Sequence, residues 1–210
     1  MKRINHILIL IKKVRTKMEL LVTLAMKFWM WSVLIALIIV GFIINLFDKK
    51  KPKCYTFEFT DYPLMKPIRI ATKGKGFFTM IKMWILGVRH WEIAKDFEYT
   101  LNGEKFVIPA GFKFDGASIP KFLHPFLSPV GVLLIGGLVH DYGYKYATLL
   151  KKNKKDTLGT ISQKRADEIF RDINIGVNGF YLMNYLAYWS LRLGGFVAWN
   201  KHRKTNAKIK

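Results

Sequence analysis

One stretch of the chain runs for twenty residues, from Phe28 to Phe47, without a charged side chain. At about 1.5 Å of rise per residue, a helix of that length crosses the roughly 30 Å hydrocarbon core of a bilayer. Trp29 and Trp31 lie at its amino end, where amphipathic rings favour the membrane–water interface. Charged residues flank the stretch on both sides, and no small-residue cleavage site follows it. The pattern therefore predicts a retained transmembrane helix over residues 28–47 instead of a signal peptide.

The segments on either side of this predicted helix are basic. Residues 1–27 mix apolar and basic side chains and are interpreted as a segment that lies on an anionic leaflet. Within twenty residues of the helix there are five Lys or Arg on each side, so the positive-inside rule does not fix its orientation. Lys2 and Arg3, further out, favour a cytoplasmic amino terminus and a main domain outside the cytoplasm.

From Cys54 to Pro109 the pattern changes to short alternations that are typical of strands. Asn102-Gly103 lies between two such alternations and predicts a tight hairpin. We interpret residues 48–90 as a linker with additional strands, and residues 91–200 as the main domain.

After Pro109 the apolar spacing becomes helical. Four helical segments are expected: one capped by Ser118 and ending near Leu127, one from Val130 to Leu150, one capped by Ser162, and one from Asn178 to Trp199. The basic tail, residues 201–210, is expected to fray or to lie on anionic lipid. The predicted fold is α+β: a transmembrane helix, then a small antiparallel sheet followed by three to four packed helices.

Composition adds a strong positive charge to this picture. The 210 residues include 35 Lys and Arg against 14 Asp and Glu, for a formal net charge of +21. Such a field favours anionic lipid head groups, nucleic acid or wall polymers, although a lysine-rich coding bias would give the same count. The densest basic patch, Lys145 to Lys155, has no nucleic-acid motif beside it, so nucleic-acid binding is not favoured. The single cysteine, Cys54, excludes an intrachain disulfide and a cysteine-based zinc cluster within one chain.

Three clusters contain the residues that are suited to chemistry. They are Pro109-Ala110-Gly111-Phe112 with Asp115 and Ala117-Ser118-Ile119-Pro120, then His140-Asp141 with Tyr144, then Arg165-Ala166-Asp167 with Phe170. In this order they resemble the motifs of DUF1353, a family of uncharacterised phage and prophage proteins. In this chain Arg165 stands closer to Asp167 than the family pattern has it. The resemblance covers roughly Trp91 to Trp199 and implies a phage or prophage origin, but no established activity.

The residue types themselves suggest a metal site. Asp115, His140, Asp141 and Asp167 would supply one imidazole and three carboxylates. That set suits Mg²⁺, Mn²⁺ or Zn²⁺, and a divalent metal held there would activate water for hydrolysis.

Two other interpretations of the same residues stay open. Ser118 is a candidate nucleophile with His140 as its base and Asp167 orienting the ring, although no nucleophile elbow surrounds it. Alternatively the residues are structural. Asp115 would then belong to a turn, His140 to the core, and Asp167 to an ion pair with Arg165 or Lys145.

Two functions follow from these alternatives. The first is a membrane-anchored accessory protein that acts at the host envelope as a binding or interaction module, with anionic lipid and an envelope protein as partners. The second is a metal-dependent hydrolase acting on wall polymer or a phosphoester.

Overall fold

The computed structural model of the chain describes residues 2–47, 55–86, 90–116 and 131–206. They form two compact units, divided between residues 49 and 50. The helices are α1 (Lys2–Lys27), α2 (Trp29–Phe47), α3 (Phe77–Leu86), α4 (Leu134–Tyr146), α5 (Gln163–Asn178) and α6 (Tyr181–Asn206). The strands are β1 (Phe57–Phe59), β2 (Met65–Ile68), β3 (His90–Ile93), β4 (Phe97–Leu101), β5 (Glu104–Ile108) and β6 (Lys113–Phe114). The predicted α+β class is confirmed.

The first unit consists of α1 and α2, which follow one another with little interruption. The backbone N–H of Phe28 donates to the carbonyl of Leu24 at 2.8 Å, and that of Ser32 donates to the carbonyl of Phe28 at 3.0 Å. In the part of the chain that the structure describes, α2 is the one helix long and apolar enough to cross a membrane, with a mean hydropathy of 2.6. Signal sequences and core helices share that composition, but only 11% of this stretch is buried.

The second unit contains two antiparallel sheets of three strands each, where the sequence predicted one. Their strand orders are β1-β4-β5 and β2-β3-β6. The predicted hairpin joins β4 to β5, with Leu101 opposite Glu104. Asn102 and Gly103 both have positive φ, at 52° and 79°, which is the backbone that a two-residue type I′ turn requires. The Asn102 side chain also accepts a hydrogen bond from the backbone N–H of Thr56 at 2.8 Å, so the turn is tied to the residues before β1.

Three helices, α4 to α6, pack on one another and complete this unit. The Ser162 cap is confirmed, because its hydroxyl accepts from the backbone N–H of Arg165 at 3.2 Å. Within residues 48–90, where the sequence predicted a linker with additional strands, Phe77–Leu86 form the helix α3. The predicted helix capped by Ser118 lies outside the described residues.

The carboxyl-terminal end of α6 corrects one expectation. The tail was expected to fray or to lie on anionic lipid; its residues 201–206 do not fray but continue the helix as far as Asn206. Arg203 explains why, since its guanidinium donates to the carbonyls of Tyr144 and Lys145, the latter at 2.8 Å. A cation at the last turn of α4 also complements the negative end of that helix dipole. The last turns of α6 are therefore held against the end of α4 through Arg203.

The amino-terminal end of α4 is held by α5. No side chain of its own segment caps this end, but Asn174 accepts from the backbone N–H of Gly136 at 3.2 Å. The two helices approach closely there: a Cβ on Gly136 would lie 2.6 Å from the Asn174 Oδ1. Asn174 is fully buried, so its side chain has no free space into which to retreat.

We therefore predict that Gly136→Ala destabilises the second unit. Overpacking of this kind costs about 1–3 kcal/mol, and the clash also breaks the cap. Thermal denaturation of the full chain in detergent would show a lower Tm. Gly176→Ala is the matched control, because Gly176 also lies in a helix, α5, and a Cβ there would meet nothing closer than 3.9 Å. An unchanged Tm for Gly136→Ala would contradict the close approach of α4 and α5.

Candidate functional site

A single carboxylate, that of Asp167, lies at the centre of the three helices with a side-chain exposure of 0%. Its Oδ1 accepts from the Nε2 of His140 at 2.9 Å and from the hydroxyl of Tyr144 at 2.6 Å. Its Oδ2 accepts from the Nη1 of Arg192 at 2.9 Å. We call His140, Tyr144, Asp167 and Arg192 the Asp167 network. Each of its members lies on a helix, and the four join α4, α5 and α6.

The spacing of residues along α4 accounts for the relative position of His140 and Tyr144. His140 and Tyr144 are four residues apart on α4, so they lie on one face, and their ring centroids are 3.9 Å apart. Phe170, one turn after Asp167 on α5, packs edge-on against His140 at 5.3 Å. On α6, the glycine at position 195 allows the approach, since any Cβ there would collide with the Tyr144 hydroxyl. The motif residues of α4 and α5 thus contact one another directly.

The charges of the network compensate one another. Burial lowers the pKa of His140, but the nearby negative charges of Asp141 and Asp167, together with the hydrogen bond to Asp167, outweigh it and raise the pKa above its ordinary value. Burial and the neighbouring Asp167 raise the pKa of the Tyr144 hydroxyl, which stays protonated and donates. The pKa of Arg192 is also raised: burial lowers it, but the bond to Asp167 prevails. A buried carboxylate therefore faces one permanent cation, one imidazole that favours its charged form, and one neutral donor.

The four residues of the predicted metal site are only partly brought together. His140 and Asp167 are bonded, and the Asp141 Oδ1 lies 3.8 Å from the Nδ1 of His140. The side chain of Asp115 is exposed, and its charge acts on His202 near the end of α6. Among the described residues, no group of three or more His, Cys, Asp or Glu side chains is arranged to hold a metal ion. Ser118, the candidate nucleophile, lies outside the described residues.

The partner of Asp167 was predicted wrongly. Arg165 and Lys145 were the expected cations, but Arg192 makes the ion pair. Its position carried a signal, because Arg192 is the single charged residue between Asn178 and Trp199, in a helix that is otherwise rich in aromatic and apolar groups. A charge in such a helix needs a buried counter-charge. The positions of residues along the sequence do not determine which carboxylate supplies the counter-charge of Arg192.

A second buried pair lies one turn further along α5. Arg171, only 1% exposed, contacts the Asp172 carboxylate at 2.6 Å, and its guanidinium lies 5.1 Å from the ring centroids of both Tyr185 and Tyr188 on α6. The other oxygen of Asp172 accepts from the backbone N–H of Tyr55 at 2.9 Å. This pair therefore fixes α6, and also the chain just before β1, to α5.

An open cleft of the second unit lies away from the network. A cleft of about 870 Å³ is bordered by the residues after β1 and by the β3–β4 turn, and its polar lining includes Asp61, Asp96 and Glu98. A hydrogen bond from Lys154 and another from the backbone of Ala110 lower the pKa of Asp96. None of the four predicted site residues lines this cleft.

Comparison with known proteins places three of the four network residues in a segment that matches a family model. Residues 91–189 match the family DUF1353, whose description is "Protein of unknown function". This part of the chain belongs to that family, as its motifs indicated. The matched segment contains His140, Tyr144 and Asp167, and Arg192 lies just beyond its end. No curated protein and no solved structure matches the chain.

We predict that Asp167→Asn is among the most damaging single substitutions in this chain. An amide cannot neutralise Arg192, and the loss of one partner from a buried ion pair costs about 3–5 kcal/mol. Urea denaturation of the full chain in detergent, followed by circular dichroism, would measure the loss.

The same change at the exposed Asp61 serves as the control, with an expected effect within about 0.5 kcal/mol. Equal stabilities of the two variants would show that Asp167 does not hold the helices together.

Proposed function

We propose that this chain is a membrane-anchored accessory protein of a phage or prophage, which acts at the host envelope as a binding or interaction module. In this proposal α2 crosses the membrane once, and the partners are anionic lipid head groups and an envelope protein. The observation that carries the proposal is the Asp167 network. In this network His140 and Tyr144 of one motif are hydrogen-bonded to Asp167 of another, inside the protein.

The network supports a structural role because both oxygens of its central carboxylate, Asp167, are already bonded within the protein. Three donors reach the two oxygens of Asp167, and His140 is itself only 1% exposed. A metal at Asp167 would have to compete with the donors already bonded to it, and if it displaced Arg192 that cation would lose its buried counter-charge. In this proposal the polar motif residues hold α4, α5 and α6 together, and exposed residues of the protein bind the partner.

The anchor is supported by composition and by the exposed apolar side chains of α2. Ile39 and Phe42 are 55% and 63% exposed, and a helix that presents such groups needs an apolar environment on its outside.

If α2 is a transmembrane anchor, the expressed chain should remain in the membrane pellet after extraction with alkaline carbonate. Ile39→Arg should release a larger fraction, because an arginine at the centre of a spanning helix costs about 2.5–3.5 kcal/mol of insertion. Thr60→Arg adds the same charge at an exposed position outside α2 and should change nothing. Recovery of the unmodified chain in the carbonate supernatant would rule out the anchor.

The alternative function, a metal-dependent hydrolase, makes a different prediction about metal content. For an interaction module, elemental mass spectrometry of the full chain, purified in detergent without chelator, should find no stoichiometric divalent metal. His140→Gln should not differ. A stoichiometric metal that is lost in His140→Gln but kept in Asp61→Asn would instead support the hydrolase, provided that circular dichroism shows both variants folded.

A further inference from the structure

The carboxyl-terminal half of α6 presents an apolar surface next to a cationic one. Leu193, Phe196 and Val197 are 46%, 53% and 63% exposed, although they belong to a helix whose opposite side is in the core. Four and seven residues after Val197, the same face continues with the exposed Lys201 and Lys204. Positions spaced in this way lie on one side of a helix. The exposed side of α6 therefore changes from apolar to basic within three turns.

The basic end of this surface is enlarged by α4. Because Arg203 is bonded to the carbonyls of Tyr144 and Lys145, the last turns of the two helices are joined. The crowding of positive charge there is visible at His202: burial and the nearby Arg203, Lys145 and Lys201 lower its pKa, against the opposing effect of Asp115. Tyr146, 45% exposed, adds an amphipathic ring at the same end of α4.

From this geometry we infer that the α6 surface, defined as Leu193, Phe196, Val197, Lys201 and Lys204, docks on anionic phospholipid. Apolar side chains of this kind enter the boundary between head groups and acyl chains, while lysine stems extend their ammonium groups to the lipid phosphates. Nucleic acid would satisfy the lysines but leaves Leu193, Phe196 and Val197 without a partner. The inference rests on the proposed function, and it names the face by which the second unit contacts lipid.

The test uses the full chain reconstituted in vesicles, and it exploits the single native cysteine. In a Cys54→Ser background, Val197→Cys receives an environment-sensitive fluorophore, and Lys105→Cys on β5 serves as the exposed comparison position. In vesicles containing phosphatidylglycerol, the label at 197 should emit at shorter wavelength and be quenched by spin-labelled lipid. The label at 105 should show neither effect, and in pure phosphatidylcholine the two positions should agree.

Charge reversal then tests the basic part of the surface. Lys201→Glu with Lys204→Glu should abolish the blue shift at 197, whereas Lys73→Glu with Lys75→Glu changes the net charge equally at exposed residues outside the surface and should preserve it. The inference fails if the label at 197 reports water in anionic vesicles. It also fails if the label responds to added RNA in the same way without being quenched by spin-labelled lipid.

Carbonate extraction of the same vesicles separates the two proposals. A chain that stays in the vesicles while its label at 197 reports water overturns the α6 surface and leaves the anchor in place. A chain that is released by carbonate overturns the anchor, and the blue shift in anionic vesicles before extraction still decides the α6 surface.

Discussion

The negative charge of Asp167 has to be neutralised inside a three-helix core, and the arrangement of α4, α5 and α6 depends on that requirement. A carboxylate with no exposure is costly unless it is paired and fully hydrogen-bonded. Arg192, His140 and Tyr144 meet this need from the two neighbouring helices. Each donor has a defined position along its own helix, so the network sets how the helices are aligned as well as how near they lie.

The same helices carry further polar contacts that act at their ends. Asn174 caps the start of α4, Arg203 binds the carbonyls at its end, and Asp172 holds the backbone of Tyr55. A buried polar group is satisfied only in one geometry, whereas apolar packing tolerates small shifts. The packing of the domain therefore draws part of its specificity from His140 and Asp167, two residues that by type alone suggest a catalytic centre.

Much of the architecture could be predicted from local patterns. Asn102-Gly103 required a two-residue hairpin because both residues tolerate positive φ, and Ser162 marked the start of α5 because its hydroxyl can cap a helix. The motif resemblance identified the family from the order of His140, Tyr144 and Asp167. The end of α6 was predicted too early, since the signal was composition, and the contact that extends the helix comes from α4 through Arg203.

The sequence by itself determined the elements whose causes are local: the apolar helix over residues 29–47, the hairpin, the cap of α5 and the pairing of His140 with Tyr144 on one face. Only the tertiary structure decided which charges meet. Asp167 and Arg192 are 25 residues apart on different helices, and Arg165 and Lys145 were equally plausible partners by charge. Electrostatic pairing depends on distance and burial in three dimensions. The spacing of residues along one helix determines neither quantity for residues on different helices.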